Sequence, residues 1–397
     1  MEKAMAFIQK YPKAYRIILF FWGFYRRGFI YSKLLKIARI VNVDTNTTIF
    51  YDLDLLLGAQ LRDGNFSRMD IIVKYLALEE VYGKNNGGIA IFEKMQKIIN
   101  PGNTEPILEL IKVANSFEKY FITTKYATVD SNLKIIEDMN IIPCAIFFNT
   151  HMIPIRFTLR NKNVTYGLNW FNKNNFQKED ISRIKTKSDE ILKLPNLKKE
   201  ILNILHSQKQ QFGEGRFYQS FEDLRISGQR PTYERFKKYG IEKYLNKSSW
   251  VLDIGCNVGF FSLYVSKYVK RVDGLETNSE LFKIGTLVKD YLKIKNCYFF
   301  NSDFKKHNFS HKYDIILSLA VHNWIGLPLD EYARKLYLLL NSNGFVLFES
   351  HDIKDTKYDF DRELNIFKNI GFKVEYIGDI CDDGLLKRRY ALLGKNR

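Results

Sequence analysis

Cysteine is scarce in this chain. The four present in 397 residues, Cys144, Cys256, Cys297 and Cys381, show no paired spacing. That excludes a disulfide framework and gives no support to a zinc site, so a reducing cytosol is the expected compartment. Long apolar runs are also missing. The longest near the start, Ile17–Phe24, falls well short of the roughly 20 residues that cross a bilayer. Its flanks, Arg16 before and Arg26 and Arg27 after, do not read as a cleavable signal. No internal repeat or low-complexity tract is visible. What remains is an ordinary globular composition, 46% apolar and 26% charged, in a chain long enough for two domains with a core each.

Acidic residues are outnumbered, 44 against 61 basic ones, for a net charge of +17. The excess is uneven. Nine basic residues face Glu2 alone in residues 1–40, interleaved with Phe20, Phe21, Trp22, Phe24 and Tyr25. Such a segment suits an anionic membrane surface or nucleic acid phosphates. It equally suits an amphipathic helix packed on its own domain with a solvated basic face, and this is the reading preferred here. The expected location is cytoplasmic, with a peripheral contact at the inner face of the membrane as the role open to residues 1–40.

The richest stretch is Trp250–Phe261, WVLDIGCNVGFF. A buried-strand run ends in Asp253, the glycines follow as D-x-G-x-x-x-G at Gly255 and Gly259, and FFSLYV opens a helix. A strand that breaks in a glycine turn and restarts as a helix brings bare backbone and unpaired N–H groups up to a ligand. About 20 residues on, where a nucleotide-binding fold sets an acid against the ribose hydroxyls, stands Glu276. Asp303 follows a third strand, placed for an adenine amino group, and YDIILSLAVHNW gives a fourth strand from Asp314 to about Leu319. Phe345–Glu349 reads as a fifth strand after a turn at Asn341–Gly344, Phe360–Ile370 as a helix, and GFKVEYIG with RRYALLG as a closing strand pair.

This ordered set resembles class I S-adenosylmethionine-dependent methyltransferases. The resemblance implies an α/β, Rossmann-like doubly wound sheet over 211–397, with its last strand antiparallel. It further implies S-adenosyl-L-methionine as cofactor, held by Asp253, Gly255, Cys256, Asn257, Gly259, Glu276, Asp303 and Ser318. Asp253 is expected to fix the turn through backbone N–H groups or to face the amino acid end of the cofactor. Gly259 is expected to let the ligand approach closely. The pattern GQRP…DIGCNVGFFSLY…AVHNWIGLP…FESHD is similar to bacterial surface-polysaccharide methyltransferases of the O-antigen and capsule kind.

Residues 1–210 read as an α/β accessory domain, with the boundary near His206–Gly213. Thr47–Leu57 is strand-like, Met69–Tyr82 has helical period, and Phe121–Asp130, Leu133–Ile136 and Ile153–Leu159 read as short strands around a helix near Ile141–Phe148. The segment Phe117–Leu192 is similar to ParB-like domains. Where those carry Asp-Gly-x-His-Arg, this chain has Glu137-Asp138-Met139-Asn140-Ile141, which lacks the Gly, His and Arg. A degenerate, scaffold-like domain is expected.

Methyl transfer to a hydroxyl needs the acceptor aimed and its proton removed. His322, after the fourth strand, is the first choice of general base because imidazole titrates near neutrality; a structural histidine is the plain alternative. His351 follows the fifth strand two residues after Glu349, and the pair, with Asp352, could orient an acceptor; a lone cluster of this kind is weak support for a metal, so a metal-free site is expected. Tyr218 and Arg230 are candidates for contacting the methionine moiety or an anionic substrate. Trp324 either stacks on a sugar ring or belongs to the core, and core is preferred. The Asn/Asp-Pro-Pro-Tyr motif of nucleobase amino methylases is absent from Ala320–Trp324, as is a nucleophilic cysteine. Oxygen methylation of a sugar, nucleotide-sugar or polysaccharide is the resulting expectation, with an RNA (tRNA) methyltransferase and a cofactor-binding scaffold without turnover as alternatives.

Overall fold

The computed structural model describes residues 48–120, 125–158, 165–207, 217–353, 356, 359–380 and 388–395. Residues 1–40, and most of the expected boundary at His206–Gly213, lie outside them. The chain divides into two compact units, Met1–Lys199 and Glu200–Arg397.

Among its described residues the first unit holds six strands, β1 (Thr48–Asp52), β2 (Leu61–Arg62), β3 (Asn65–Phe66), β4 (Ala127–Val129), β5 (Ile135–Glu137) and β6 (Met152–Phe157). Its helices are α1 (Leu53–Ala59), α2 (Met69–Val81), α3 (Gly88–Ile99), α4 (Pro106–Tyr120), α5 (Ile141–Phe147), α6 (Leu168–Lys173) and α7 (Lys178–Ile191); the division falls within α8 (Lys193–Ser207). A four-stranded sheet runs β1-β6-β4-β5, parallel only between β6 and β4. Its core is built from Ile71, Ile72, Val73 and Leu76 of α2 against Ile153 and Ile155 of β6 and Ile141 and Ile142 of α5. The strand expected over Thr47–Leu57 stops at Asp52, because that carboxylate accepts the Leu55 N–H at 2.9 Å and caps a helix instead. Asp138, in the segment compared with ParB-like domains, is buried and paired with Lys74 at 2.8 Å, while Arg68 grips Asp70 with two hydrogen bonds and reaches the Ile135 carbonyl.

The second unit opens with α9 (Thr232–Tyr239) and then alternates β7 (Trp250–Ile254), α10 (Phe260–Val265), β8 (Arg271–Glu276), α11 (Ser279–Tyr291), β9 (Cys297–Asn301) and β10 (Tyr313–Leu319). There follow α12 (His322–Ile325), α13 (Leu329–Leu339), β11 (Leu340–His351), α14 (Phe360–Ile370), β12 (Phe372–Ile380) and β13 (Arg388–Lys395). The seven-stranded sheet has the order β12-β13-β11-β10-β7-β8-β9. Strands β7 to β11 run parallel to one another, as right-handed crossovers through helices require. β13 enters antiparallel between β11 and β12. The expected class I methyltransferase sheet, with its antiparallel last strand, is therefore the fold of this unit. In one detail the sequence expectation fails: Asn341–Gly344 is not a turn before β11 but an irregular stretch within it, where the pairing steps from Tyr313↔Leu340 to Ile315↔Phe345.

Because β7 and β10 are adjacent while the chain winds outward from them in both directions, the sheet reverses its order between their carboxyl ends. In open α/β sheets that is where a crevice for ligand forms.

Candidate active site

The turn after β7 is built for close packing. Gly255 and Gly259 both sit at positive φ, +64° and +73°, as does Asn257 at 57°. A Cβ on Gly255 would lie 2.3 Å from Val321 Cγ2, and one on Gly259 would lie 2.3 Å from Phe299 Cζ. The closeness expected of Gly259 is thus taken up by a side chain of β9, which seats α10 against the sheet. The turn is then fixed from β8. The Cys256 N–H donates to the Leu275 carbonyl at 2.9 Å, and the Asn257 N–H to Glu276 Oε2 at 2.9 Å. Cys256 itself is buried, and burial pushes its thiol well above the ordinary range.

Glu276 accepts a second backbone bond at Oε1, from the Asn278 N–H at 2.9 Å. The Thr277 hydroxyl also lies 3.5 Å from Oε1, whereas Oε2 keeps a lone pair for a hydroxyl, and Glu276 is partly exposed at the end of β8. Asp303, also partly exposed, accepts the Lys305 N–H at Oδ1, 2.7 Å, which ties down the loop after β9.

Asp253 lies deeper. It is 2% exposed and its Oδ2 accepts the Ser262 hydroxyl at 2.5 Å. Its contact is to α10, not to the backbone N–H groups of the turn. Burial pushes its pKa up to about 7, against the Ser262 bond and the field of Arg235, which lower it.

On the acceptor side, His322 begins α12 directly beyond β10. It is 7% exposed, its Nε2 lies 2.9 Å from Glu363 Oε1 of α14, and its ring packs on Phe348. Among the described residues no group bonds its Nδ1, which is itself buried. Two residues on, Trp324 is 67% exposed, so the core placement preferred from the sequence is wrong. The short helix α12 turns its histidine inward and leaves the indole outside.

Three other candidates are placed in the interior. Ser318 is fully buried with its hydroxyl 2.9 Å from Tyr332 of α13, so it belongs to the core and not to a cofactor surface. Glu349 is fully buried in a knot of cations: Arg230 at 2.8 Å, Arg388 at 3.2 Å and Arg235 at 3.3 Å, with the Tyr239 hydroxyl donating as well. The three guanidiniums and the hydroxyl hold its carboxyl far below the usual range. Glu349 and Arg230 are therefore structural partners that tie α9 and the segment before it to β11, and they are removed from the substrate candidates. Tyr218, half-buried, receives a 3.3 Å bond from Arg230. His351 ends β11 opposite Arg388. Among the described residues no group of three or more His, Cys, Asp or Glu is placed to hold a metal ion.

The sequence reading gives no role to Glu363, Arg235, Tyr239 or Ser262. A signal existed. On α14 the buried stripe is Phe360, Glu363, Leu364 and Phe367, and on α9 it is Thr232, Arg235, Phe236 and Tyr239. A charged residue on the i, i+3, i+4, i+7 stripe must find a partner inside.

Residues 229–376 match the family model of a methyltransferase domain. The second unit carries a methyltransferase domain on the class I sheet. A relative is the probable S-adenosylmethionine-dependent methyltransferase CRG1 of Saccharomyces cerevisiae, 24% identical over 170 residues. That match takes in 41% of this chain and 57% of the yeast protein, so the chain spans little more than half of its relative's length. Similar solved structures include the YcgJ protein of Bacillus subtilis, at 14% identity and a TM-score of 0.36 over 41% of this chain and 99% of that one. Another is the N-methyltransferase NodS of Bradyrhizobium japonicum with S-adenosyl-L-homocysteine, at 13% identity and a TM-score of 0.36 over 42% of this chain and 89% of that one. The donors of the methyltransferase domain fit S-adenosylmethionine: a partly exposed carboxylate with a spare lone pair at the end of β8, a second after β9, and a left-handed turn between β7 and α10.

Proposed function

We propose that this chain is an S-adenosylmethionine-dependent O-methyltransferase acting on a hydroxyl of a sugar, nucleotide-sugar or surface polysaccharide. The cofactor, when bound, supplies a methyl group on a positively charged sulfur. Glu276 holds its ribose hydroxyls, Asp303 its adenine amino group, and Asp253, a buried carboxyl with one hydroxyl partner, answers the charge at its amino acid end. The observation that carries the hydroxyl assignment is His322: a buried imidazole beyond the fourth strand of the fold, held at Nε2 and, among the described residues, with no partner on Nδ1. A buried ring nitrogen without a bond is costly, by about 1–3 kcal/mol, and a site that receives a proton accounts for it. Trp324, exposed two residues on, offers the flat apolar face on which sugar rings stack. The polysaccharide class follows from the sequence resemblance. For the first unit we propose the accessory, scaffold-like role, since Asp138, Lys74, Arg68 and Asp70 pair with one another.

The test supplies S-adenosylmethionine with a labelled methyl group to the protein with fractionated polysaccharide and lipid-linked saccharide, nucleotide sugars, and RNA. Label in a saccharide or nucleotide-sugar fraction, lost in His322→Ala with cofactor affinity kept, is the expected result. Label in RNA, or cofactor binding without any transfer, overturns it.

A further inference from the structure

His322 does not stand alone, and the residue that holds it comes from α14, a helix in which the sequence reading placed no functional residue. Glu363 lies in the first turn of α14, a helix capped by Asp359, which accepts the Asp361 and Arg362 N–H groups, and anchored by the buried Phe360, Leu364 and Phe367. Its Oε1 is 2.9 Å from His322 Nε2, and both side chains are buried. The Asn323 amide is placed with its Nδ2 2.9 Å from the same Nε2. A buried carboxylate beside a bare ring nitrogen would set lone pair against lone pair, so the proton of the neutral ring belongs on Nε2. With that proton in place, Asn323 can serve the same nitrogen only through its amide oxygen.

We infer that Glu363 is a positioning residue for the methyl transfer: it fixes His322 as the Nε2–H tautomer and so leaves Nδ1 as the nitrogen that takes the acceptor's proton. The inference rests on the hydroxyl-acceptor reading above. In the step it serves, the acceptor hydroxyl gives its proton to Nδ1 as its oxygen bonds the methyl carbon. The electron pair of the broken carbon–sulfur bond stays on sulfur. The carboxylate gains its effect through the ring, as the aspartate of a hydrolase triad holds its histidine in one tautomer.

Two measurements test this. The ring nitrogen signals of His322, read by NMR in histidine-labelled protein, are expected to show a single Nε2–H tautomer in the wild type and a mixture in Glu363→Ala. Glu363→Ala is also expected to lower kcat by about tenfold or more, with affinity for S-adenosylhomocysteine unchanged. Glu363→Gln, which keeps the shape and an acceptor oxygen, should fall between the two and guards against a simple loss of folding. An Nδ1–H tautomer in the wild type, or an unchanged kcat in Glu363→Ala, overturns the positioning role while the acceptor reading stands. A single Nε2–H tautomer that is lost in Glu363→Ala, in a protein that methylates no hydroxyl, upholds the pairing and overturns the acceptor reading.

Discussion

Asp253 and Glu349 invite comparison because they begin alike. Both are carboxylates near the carboxyl ends of parallel strands in one sheet, and both are shut away from solvent. Around Glu349 the chain has gathered Arg230, Arg235, Arg388 and the Tyr239 hydroxyl, and the acid is held ionised. Around Asp253 there is the Ser262 hydroxyl and only the more distant field of Arg235, and burial wins, raising the pKa to about 7. Desolvation disfavours charge at both sites, and the number of cations close by is what most separates the outcomes. One acid is satisfied by the fold, and that makes it structure. The other remains short of positive charge, which on the proposed reading a bound cofactor supplies.

The comparison can be broken most forcefully at Glu349. Glu349→Gln leaves three guanidiniums buried around a neutral amide, and losing one partner of a buried ion pair costs about 3–5 kcal/mol. Chemical denaturation of the second unit should show a loss of that size; a variant as stable as wild type would mean that the arginines have other sufficient partners. A smaller effect separates the two acids by pH. Asp253 is raised, so the stability it contributes is complete below the unfolded value of 3.8 and is lost as pH rises through about 7. Glu349 is lowered, so its contribution is complete above the unfolded value of 4.5 and is lost only as pH falls below it. Denaturant midpoints of cofactor-free protein should therefore drift down from pH 4 to pH 7 through the Asp253 contribution, with a slope of at most about 1.4 kcal/mol per pH unit, and Asp253→Asn should flatten that drift. The smallest change is Ser262→Ala. It removes one hydrogen bond to a buried acid, for roughly 1 kcal/mol, and should move the Asp253 titration further up.

Much of this was legible in the sequence. The D-x-G-x-x-x-G turn, the acid at Glu276 and the alternation of strands gave the doubly wound sheet, because those local patterns repeat what the fold requires. Less was legible about which way a side chain points. Glu349 and Ser318 sit on strands beside motif residues, and sequence alone cannot tell a residue at the crevice from one bonded into the interior. Trp324 and His322 illustrate the same limit on a one-turn helix, where residues two apart diverge by about 200° and one faces the core while the other meets solvent. Phe299 could not be foreseen as the occupant of the space above Gly259, since the contact joins β9 to α10 across the sheet. Arg235 and Glu363 were the recoverable omissions, charges placed on otherwise apolar stripes.

The central claim is that the turn after β7 and Glu276 of β8 form a cofactor site, and calorimetric titration of S-adenosylhomocysteine into wild type and Glu276→Gln tests it most directly. The account predicts one binding event in the wild type, weakened by about tenfold or more in Glu276→Gln through the loss of hydrogen bonds to a charged group. Equal affinity in the two proteins, or no binding to the wild type, would contradict it.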